Sequence, residues 1–164
     1  MAAGRTAIIK PAALAPLTTS LLASVMKKVG LPAGVLNVIN TAAPGRIIEP
    51  LLADPRLRKL SFTGSTVVGQ RLLGQAATRV LRTSMELGGN APFVVFADAD
   101  LDAAVAGALV AKFRNIGQAC TAANRFLVHR SVVEEFTSRV TSAVERFTVG
   151  RCNQPDVTIG PLID

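Results

Sequence analysis

An α/β fold built on parallel strands is what this 164-residue sequence predicts, and two patterns carry the prediction. Short β-branched runs alternate with longer segments whose apolar residues recur at helical spacing. Gly- and Pro-rich turns separate them, an order that lays parallel strands beside crossover helices rather than hairpins side by side. The apolar fraction of 49% against 18% charged residues describes a packed chain rather than a disordered one.

Taken in order, "TAII" at residues 6–9 predicts a short strand that ends at Lys10, because Pro11 disfavours its continuation. A helix follows over Leu17–Lys28, with Gly30 at its exit. "GVLNVI" reads as a strand and "NTAAPG" as a turn. "RIIEPLLADP" keeps helical apolar spacing despite Pro50, and "KLSF" runs into a turn at Gly64. "GSTVVGQRLLGQAATRVL" predicts a helix beginning at Ser65, and "RTSMEL" a strand closing on Glu86. Past Gly88 and Gly89, "PFVVF" is a strand and "DADLDAAVAGALVAKF" an acid-capped helix, with Leu101, Val105, Leu109 and Phe113 as its buried stripe. "RFLVH" is the last strand. Val132, Phe136, Val140 and Val144 give the last helix its buried face, ahead of the polar tail "GRCNQPDVTIGPLID". No internal repeat is present, and a boundary at residues 88–90 separates two α/β layers.

Composition narrows the function classes. Eighteen basic against eleven acidic residues give a formal charge of +7, enough to attract small anions, but the charge is spread along the chain. Its densest patch, "RLRKLSF", lacks the stacking platforms of a nucleic-acid site, and no apolar run reaches membrane-spanning length. "PAALAPLTTSLLASVMKKVG" contains Pro16 and consecutive hydroxyl residues, so it reads as the approach to a helix rather than a processing signal. Two cysteines, Cys120 and Cys152, make no disulfide framework and fit a cytoplasmic setting. No His/Cys/Asp/Glu grouping calls for a metal. His129 reads as a core-edge or surface residue, and Cys152 as a packing or free thiol.

Five other positions invite chemistry. Cys120, in "NIGQACTAANRF" between a helix and a strand, is either a structural thiol or a nucleophile whose thiolate nearby N–H groups can stabilise. Glu86 in "MELGGNAPF" is a solvated strand-end carboxylate or a base able to activate water, with Gly88 and Gly89 permitting close approach. In "FTGST", Gly64 allows a tight turn, and Ser65 caps a helix or donates to a phosphate at its positive end. The stretch is not a G-x-G-x-x-G fingerprint. Lys10 is a solvated strand-end lysine or a partner for cofactor oxygens.

The stretches "IIKPAALAPL", "GLPAGVLNVI", "LSFTGSTVVGQ", "MELGGNAPFVVFADADLD", "KFRNIGQACTAANRFLVH" and "VGRCNQPDVTIGPLID" together resemble the aldehyde dehydrogenase superfamily. Their order covers essentially the whole chain, which resembles an internal piece of a protein roughly three times as long. The resemblance implies that residues 1–88 form part of a Rossmann-like NAD(P)-binding domain and residues 89–164 the beginning of the α/β catalytic domain. It implies Cys120 as nucleophile and Glu86 as general base, with an aldehyde oxidised through a thiohemiacetal and a thioester on the cysteine. Lys10 would contact the adenosine ribose or its phosphate, Ser65 the pyrophosphate, and Gly64 would admit it. Ala13 stands where NAD-preferring relatives carry an acid, which admits NADP without excluding NAD.

Arg114, six residues before Cys120, is either a surface or helix-end charge or a substrate ligand. "KFRNIGQAC" resembles the succinate-semialdehyde dehydrogenase branch, in which this arginine binds the substrate carboxylate. The substrate implied is therefore a small carboxylate-bearing aldehyde, and family enzymes of this kind are homo-oligomeric. The family's Asn-containing segment ahead of Lys10 and its downstream Glu-Ile-Phe-Gly-Pro region are not in this sequence. The expectation is accordingly little turnover by the 164-residue chain on its own. The competing readings are a non-catalytic α/β interaction or cofactor-binding remnant, and a dehydrogenase for another aldehyde.

Overall fold

Three βαβ units follow one another along the chain in the computed structural model, which describes residues 3–163. In each, two parallel strands are joined through a helix, since a parallel pair cannot be closed by a tight hairpin. The first comprises β1 (Ala7–Ile9), α1 (Leu17–Lys28) and β2 (Leu36–Val38); the second β3 (Lys59–Gly64), α3 (Thr66–Ala77) and β4 (Arg82–Leu87); the third β5 (Ala91–Val95), α4 (Leu101–Phe113) and β6 (Ala123–Val128). Helix α2 (Pro44–Ala53) links the first to the second, and α5 (Val133–Val144) follows the third. The α/β class with parallel strands is as the sequence predicts. Packing divides the chain into two compact units, Met1–Arg58 and Lys59–Asp164.

In the first unit, β1 and β2 pair in register from Ala7↔Leu36 to Ile9↔Val38. Helix α1 has Lys27 and Lys28 in its last turn, where positive charge opposes the negative helix end. It leaves through Gly30 at φ 88°, a left-handed conformation that glycine adopts without steric cost. Helix α2 opens on Pro44, whose missing N–H is not needed in a first turn, and Leu52 is its buried residue.

In the second unit, all six residues of β3 pair with β4, from Lys59↔Arg82 to Gly64↔Leu87. Ser65 caps α3, its Oγ accepting from the Val68 N–H at 3.4 Å. The helix lies close on β4 because residue 69 is glycine: a Cβ there would stand 2.5 Å from Leu87 Cδ2. It stops at Ala77 rather than running on to Leu81, as the chain turns through Val80 at φ 52° and Leu81 donates back to the Ala76 carbonyl.

The core of the third βαβ unit gathers Val95, Ala108 and Phe136, with Phe93, Leu101, Ala104, Val105, Val128, Val132 and Val140 packed around them. The predicted α4 stripe is offset. Leu101, Val105, Leu109 and Phe113 are half-buried, while Ala108 is the deepest residue at 1% exposure. Small side chains at Ala104 and Ala108 let the helix backbone approach the sheet, which larger residues at those positions would prevent. Asp100 caps α4 through hydrogen bonds from the N–H groups of Asp102 and Ala103 at 3.0 and 3.1 Å. Arg139 of α5 joins Asp102 at 2.5 Å and also pairs with Glu135, tying α5 to the start of α4. The predicted face of α5 is sound at Phe136, which is 4% exposed and lies beside Phe126 with ring centroids 6.5 Å apart.

Candidate active site

The carboxyl ends of β3 and β4 bring three of the sequence-predicted residues together. Gly64 ends β3 opposite Leu87, Glu86 sits opposite Thr63, and Ser65 opens α3 from the same end. In open α/β sheets, ligands bind at this end of parallel strands. The first turn of α3 carries no acidic residue, so its positive end is not neutralised. A Cβ on Gly64 would lie 2.5 Å from Phe62 Cζ, so a side chain there would have to displace the Phe62 ring. Ser65 spends its side-chain oxygen on the helix cap, the structural role open to it in the sequence. The carboxylate of Glu86 is exposed.

Cys120 lies in the turn between α4 and β6. Its frame is firm: Ala122 donates to the Ala119 carbonyl at 3.0 Å, and Ala122 and Ala123 are buried at 4% and 2% exposure. Cys120 itself is a free, exposed thiol. The turn meets the glycine pair beyond Glu86, since a Cβ on Gly89 would stand 3.1 Å from the Cys120 carbonyl oxygen. Gly89 therefore lets the segment leaving β4 run against the cysteine turn. The Arg125 guanidinium fastens the same segment by donating to the Asn90 carbonyl at 3.0 Å.

Arg114 follows α4 and borders a cleft of about 520 Å³ with Ala106, Gly107, Val110, Ala111, Ala119, Thr121 and Ala122. Ala119 and Thr121 flank Cys120 in the chain, so this cleft joins the arginine to the cysteine turn. Among the described residues no hydrogen bond or ion pair engages the Arg114 guanidinium.

Between Arg114 and Cys120 the backbone enters the left-handed region at three consecutive residues, Asn115 (φ 53°), Ile116 (φ 62°) and Gly117 (φ 75°). For a β-branched residue such as Ile116 this costs roughly 1–2 kcal/mol. The turn is closed by the Gln118 N–H on the Asn115 carbonyl and the Asn115 side-chain amide on the Gln118 carbonyl, both at 3.0 Å. Gly117 has no room for a side chain, because a Cβ would stand 2.9 Å from the Lys112 carbonyl. Strain of this kind collects at functional sites. The sequence carries a partial signal for it in the Asn and Gly of "RNIGQ", but nothing marks Ile116.

Lys10 belongs to the first unit, where it follows β1, half-buried, with its ammonium on the Pro11 carbonyl. Beside it, a hollow of about 310 Å³ is lined by Pro11, Ala12, Ala13, Pro16, Asn40, Thr41 and Ala42, again beyond the carboxyl ends of a parallel pair. His129 is exposed, with Nδ1 2.8 Å from Ser131 Oγ, and Cys152 is free and exposed. Among the described residues no group of three or more His, Cys, Asp or Glu could hold a metal, and no helix is long and apolar enough to cross a membrane.

Parallel βαβ units, an exposed thiol just beyond a strained turn, and a helix end without acidic residues at the strand termini describe an α/β scaffold whose strand ends carry the candidate residues. The family model "Aldehyde dehydrogenase family" matches residues 1–164, and the chain belongs to that family. It is 59% identical over its full length to a succinate-semialdehyde dehydrogenase of Paenarthrobacter nicotinovorans, covering 36% of that protein. It is 48% identical to the succinate-semialdehyde dehydrogenase [NADP(+)] of Escherichia coli, covering 100% of this chain and 34% of that one. Among solved structures, an aldehyde dehydrogenase from Brucella melitensis biovar abortus superposes with a TM-score of 0.95 at 50% identity, covering 99% of this chain and 34% of the other. The chain thus spans about a third of the length of these relatives.

Proposed function

We propose that the protein oxidises a small carboxylate-bearing aldehyde, succinate semialdehyde first among them, to the corresponding acid with NAD(P)+. Cys120 is the nucleophile, Glu86 the general base and Arg114 the ligand of the substrate carboxylate. The observation that carries this reading is the single cleft bordered by the unpartnered Arg114 and by Ala119 and Thr121 on either side of Cys120. Its volume of about 520 Å³ is ample for a four-carbon substrate. The relatives named for succinate semialdehyde support the same substrate.

Taken separately within each unit, the residues at the strand ends suit parts of a dinucleotide. Gly64 and Ser65 at the open N-terminus of α3 would hold its pyrophosphate, and Lys10, beside the hollow at the end of β1, its adenosine ribose. Ala13 in that hollow presents no charge to a 2′-phosphate, so both NAD and NADP are accommodated. NAD(P)+, when bound, supplies the hydride acceptor. The chain's own residues do the remainder. Arg114 pairs with the distal carboxylate and leaves the aldehyde facing Cys120. The Cys120 thiolate adds to the carbonyl carbon, giving a thiohemiacetal that becomes a thioester on loss of hydride. Glu86 then takes a proton from water as the water oxygen attacks the thioester; the C–S bond breaks, and acid and thiolate separate.

In this reading residues 1–88 belong to the cofactor-binding domain and residues 89–164 to the catalytic domain, with β4 and β5 in different sheets on either side of that boundary, although packing draws its own division earlier, between Arg58 and Lys59. Cytoplasmic location, supported by two free thiols, and homo-oligomerisation belong to the same proposal. The 164-residue chain alone has little turnover, because each of its sheets has two strands among the described residues and apolar side chains such as Leu17, Val29 and Phe96 are exposed. The test is NAD(P)H formation by the complete protein with succinate semialdehyde and with a neutral aldehyde of equal length, beside the Cys120→Ser variant. Preferred, cysteine-dependent oxidation of the semialdehyde is expected. Turnover that survives Cys120→Ser, or no preference for the acid, refutes the proposal.

A further inference from the structure

The strained turn before Cys120 does not stand alone. The polar tail of the chain returns to it at two points. The Ile163 N–H donates to the Gln118 side-chain oxygen at 3.1 Å across 45 residues. Gly160, buried, lies against Ile116: a Cβ built on it would be 3.3 Å from Ile116 Cδ1 and would overlap Cys152 Sγ. The tail is itself anchored, by the Val149↔Ile159 bridge and by the Gly150 N–H on the Ile159 carbonyl at 3.0 Å. Ile116, inside the left-handed stretch, and Gln118, which closes it, are thus the two side chains that the tail engages, one by packing and one by a hydrogen bond.

We propose that residues 160–163 form a strap that holds the Asn115–Gln118 turn in its left-handed conformation and so sets the position of the Cys120 thiol, with Gly160 and Gln118 as positioning residues. Nothing within the turn offsets the cost of Ile116 beyond the paired Asn115–Gln118 bonds, and those close the loop without fixing where it points. The strap supplies the external reference. A methyl on Gly160 meets Cys152 Sγ on one side and Ile116 Cδ1 on the other, so either those side chains or the strap must shift, and in this proposal the strap does. The inference rests on the proposed function for its catalytic consequence, but not for the positioning itself.

The experiment uses the complete protein, with Gly160→Ala, Gln118→Ala, Cys152→Ala and the double variant Gly160→Ala/Cys152→Ala. Iodoacetamide alkylation of Cys120, followed by mass spectrometry across pH, reports the thiol directly and without turnover. Gly160→Ala and Gln118→Ala are expected to change the Cys120 alkylation rate and to lower kcat by about tenfold or more, as misplacement of a reacting group does, at unchanged cofactor Kd and Tm. Cys152→Ala alone leaves both near those of the unsubstituted protein, and the double variant recovers most of the loss, because removing the sulfur makes room for the new methyl. Alkylation rates and kcat that remain unchanged in both single variants overturn the proposal. So does a loss that only follows Tm, or a double variant no better than Gly160→Ala. Should Gly160→Ala not fold, Gln118→Ala, at an exposed side chain, decides the matter alone. A protein that oxidises no aldehyde yet shows the alkylation pattern loses the proposed function and keeps the strap; one that oxidises aldehydes with no such pattern does the reverse.

Discussion

Replacing Arg114 by alanine separates a substrate ligand from a helix-end charge more sharply than any other single change. The guanidinium has no hydrogen-bond or ion-pair partner among the described residues and Arg114 is exposed, so its removal breaks no internal hydrogen bond or ion pair. Stability should move by no more than about 0.5 kcal/mol, as for surface substitutions away from special features. The loss falls instead on the substrate carboxylate. A hydrogen bond to a charged group contributes about 1.5–3 kcal/mol, and at about 1.4 kcal/mol per factor of ten this is roughly a 10- to 150-fold fall in kcat/KM. The assay is initial-rate NAD(P)H formation by the complete protein with succinate semialdehyde and with a neutral aldehyde of equal length, with Tm followed in parallel. The neutral aldehyde should be nearly unaffected, because it has no acid for the arginine to hold. An equal fall for both aldehydes, or none for the semialdehyde, refutes the clamp.

Two further outcomes follow from the same structure. Glu86→Gln removes the proposed base while leaving Cys120 in place, so one equivalent of NAD(P)H per site should form in a burst, with steady turnover lowered by about 10²–10⁴-fold; stopped-flow absorbance checks this, and an undiminished steady rate excludes Glu86 as the base. Asp100→Ala takes the acceptor from two N–H groups of α4 and should cost about 1 kcal/mol; chemical denaturation of the complete protein measures it, and an unchanged midpoint means the cap contributes nothing.

Much of the architecture was legible from local signals. Helix α1 spans Leu17–Lys28 and β4 spans Arg82–Leu87, the segments that the exit at Gly30 and the run "RTSMEL" mark out. Asp100 and Ser65 cap the helices they precede, because a short side-chain oxygen reaches the free N–H groups of a first turn whatever the rest of the chain does. Parallel pairing was equally legible, since each strand run is followed by a helical run and then another strand. These features depend on neighbours a few residues away, and that information is contiguous in the sequence.

What depends on distant neighbours was decided by the tertiary structure. Ala108 rather than Leu109 is the deepest residue of α4, because the helix turns its small side chains to the sheet. Gly69 reads as an ordinary helical glycine until Leu87 is seen against it, and Gly89 as a loop glycine until it meets the Cys120 carbonyl. The residue types at the candidate site could be named from the sequence. The cleft that joins Arg114 to the cysteine turn, and the left-handed backbone of Ile116, could not. A β-branched residue adopts that conformation at a cost set by its own Cβ, whereas the neighbours that meet the turn, Gly160 beside Ile116 and Ile163 on the Gln118 side chain, lie more than forty residues along the chain.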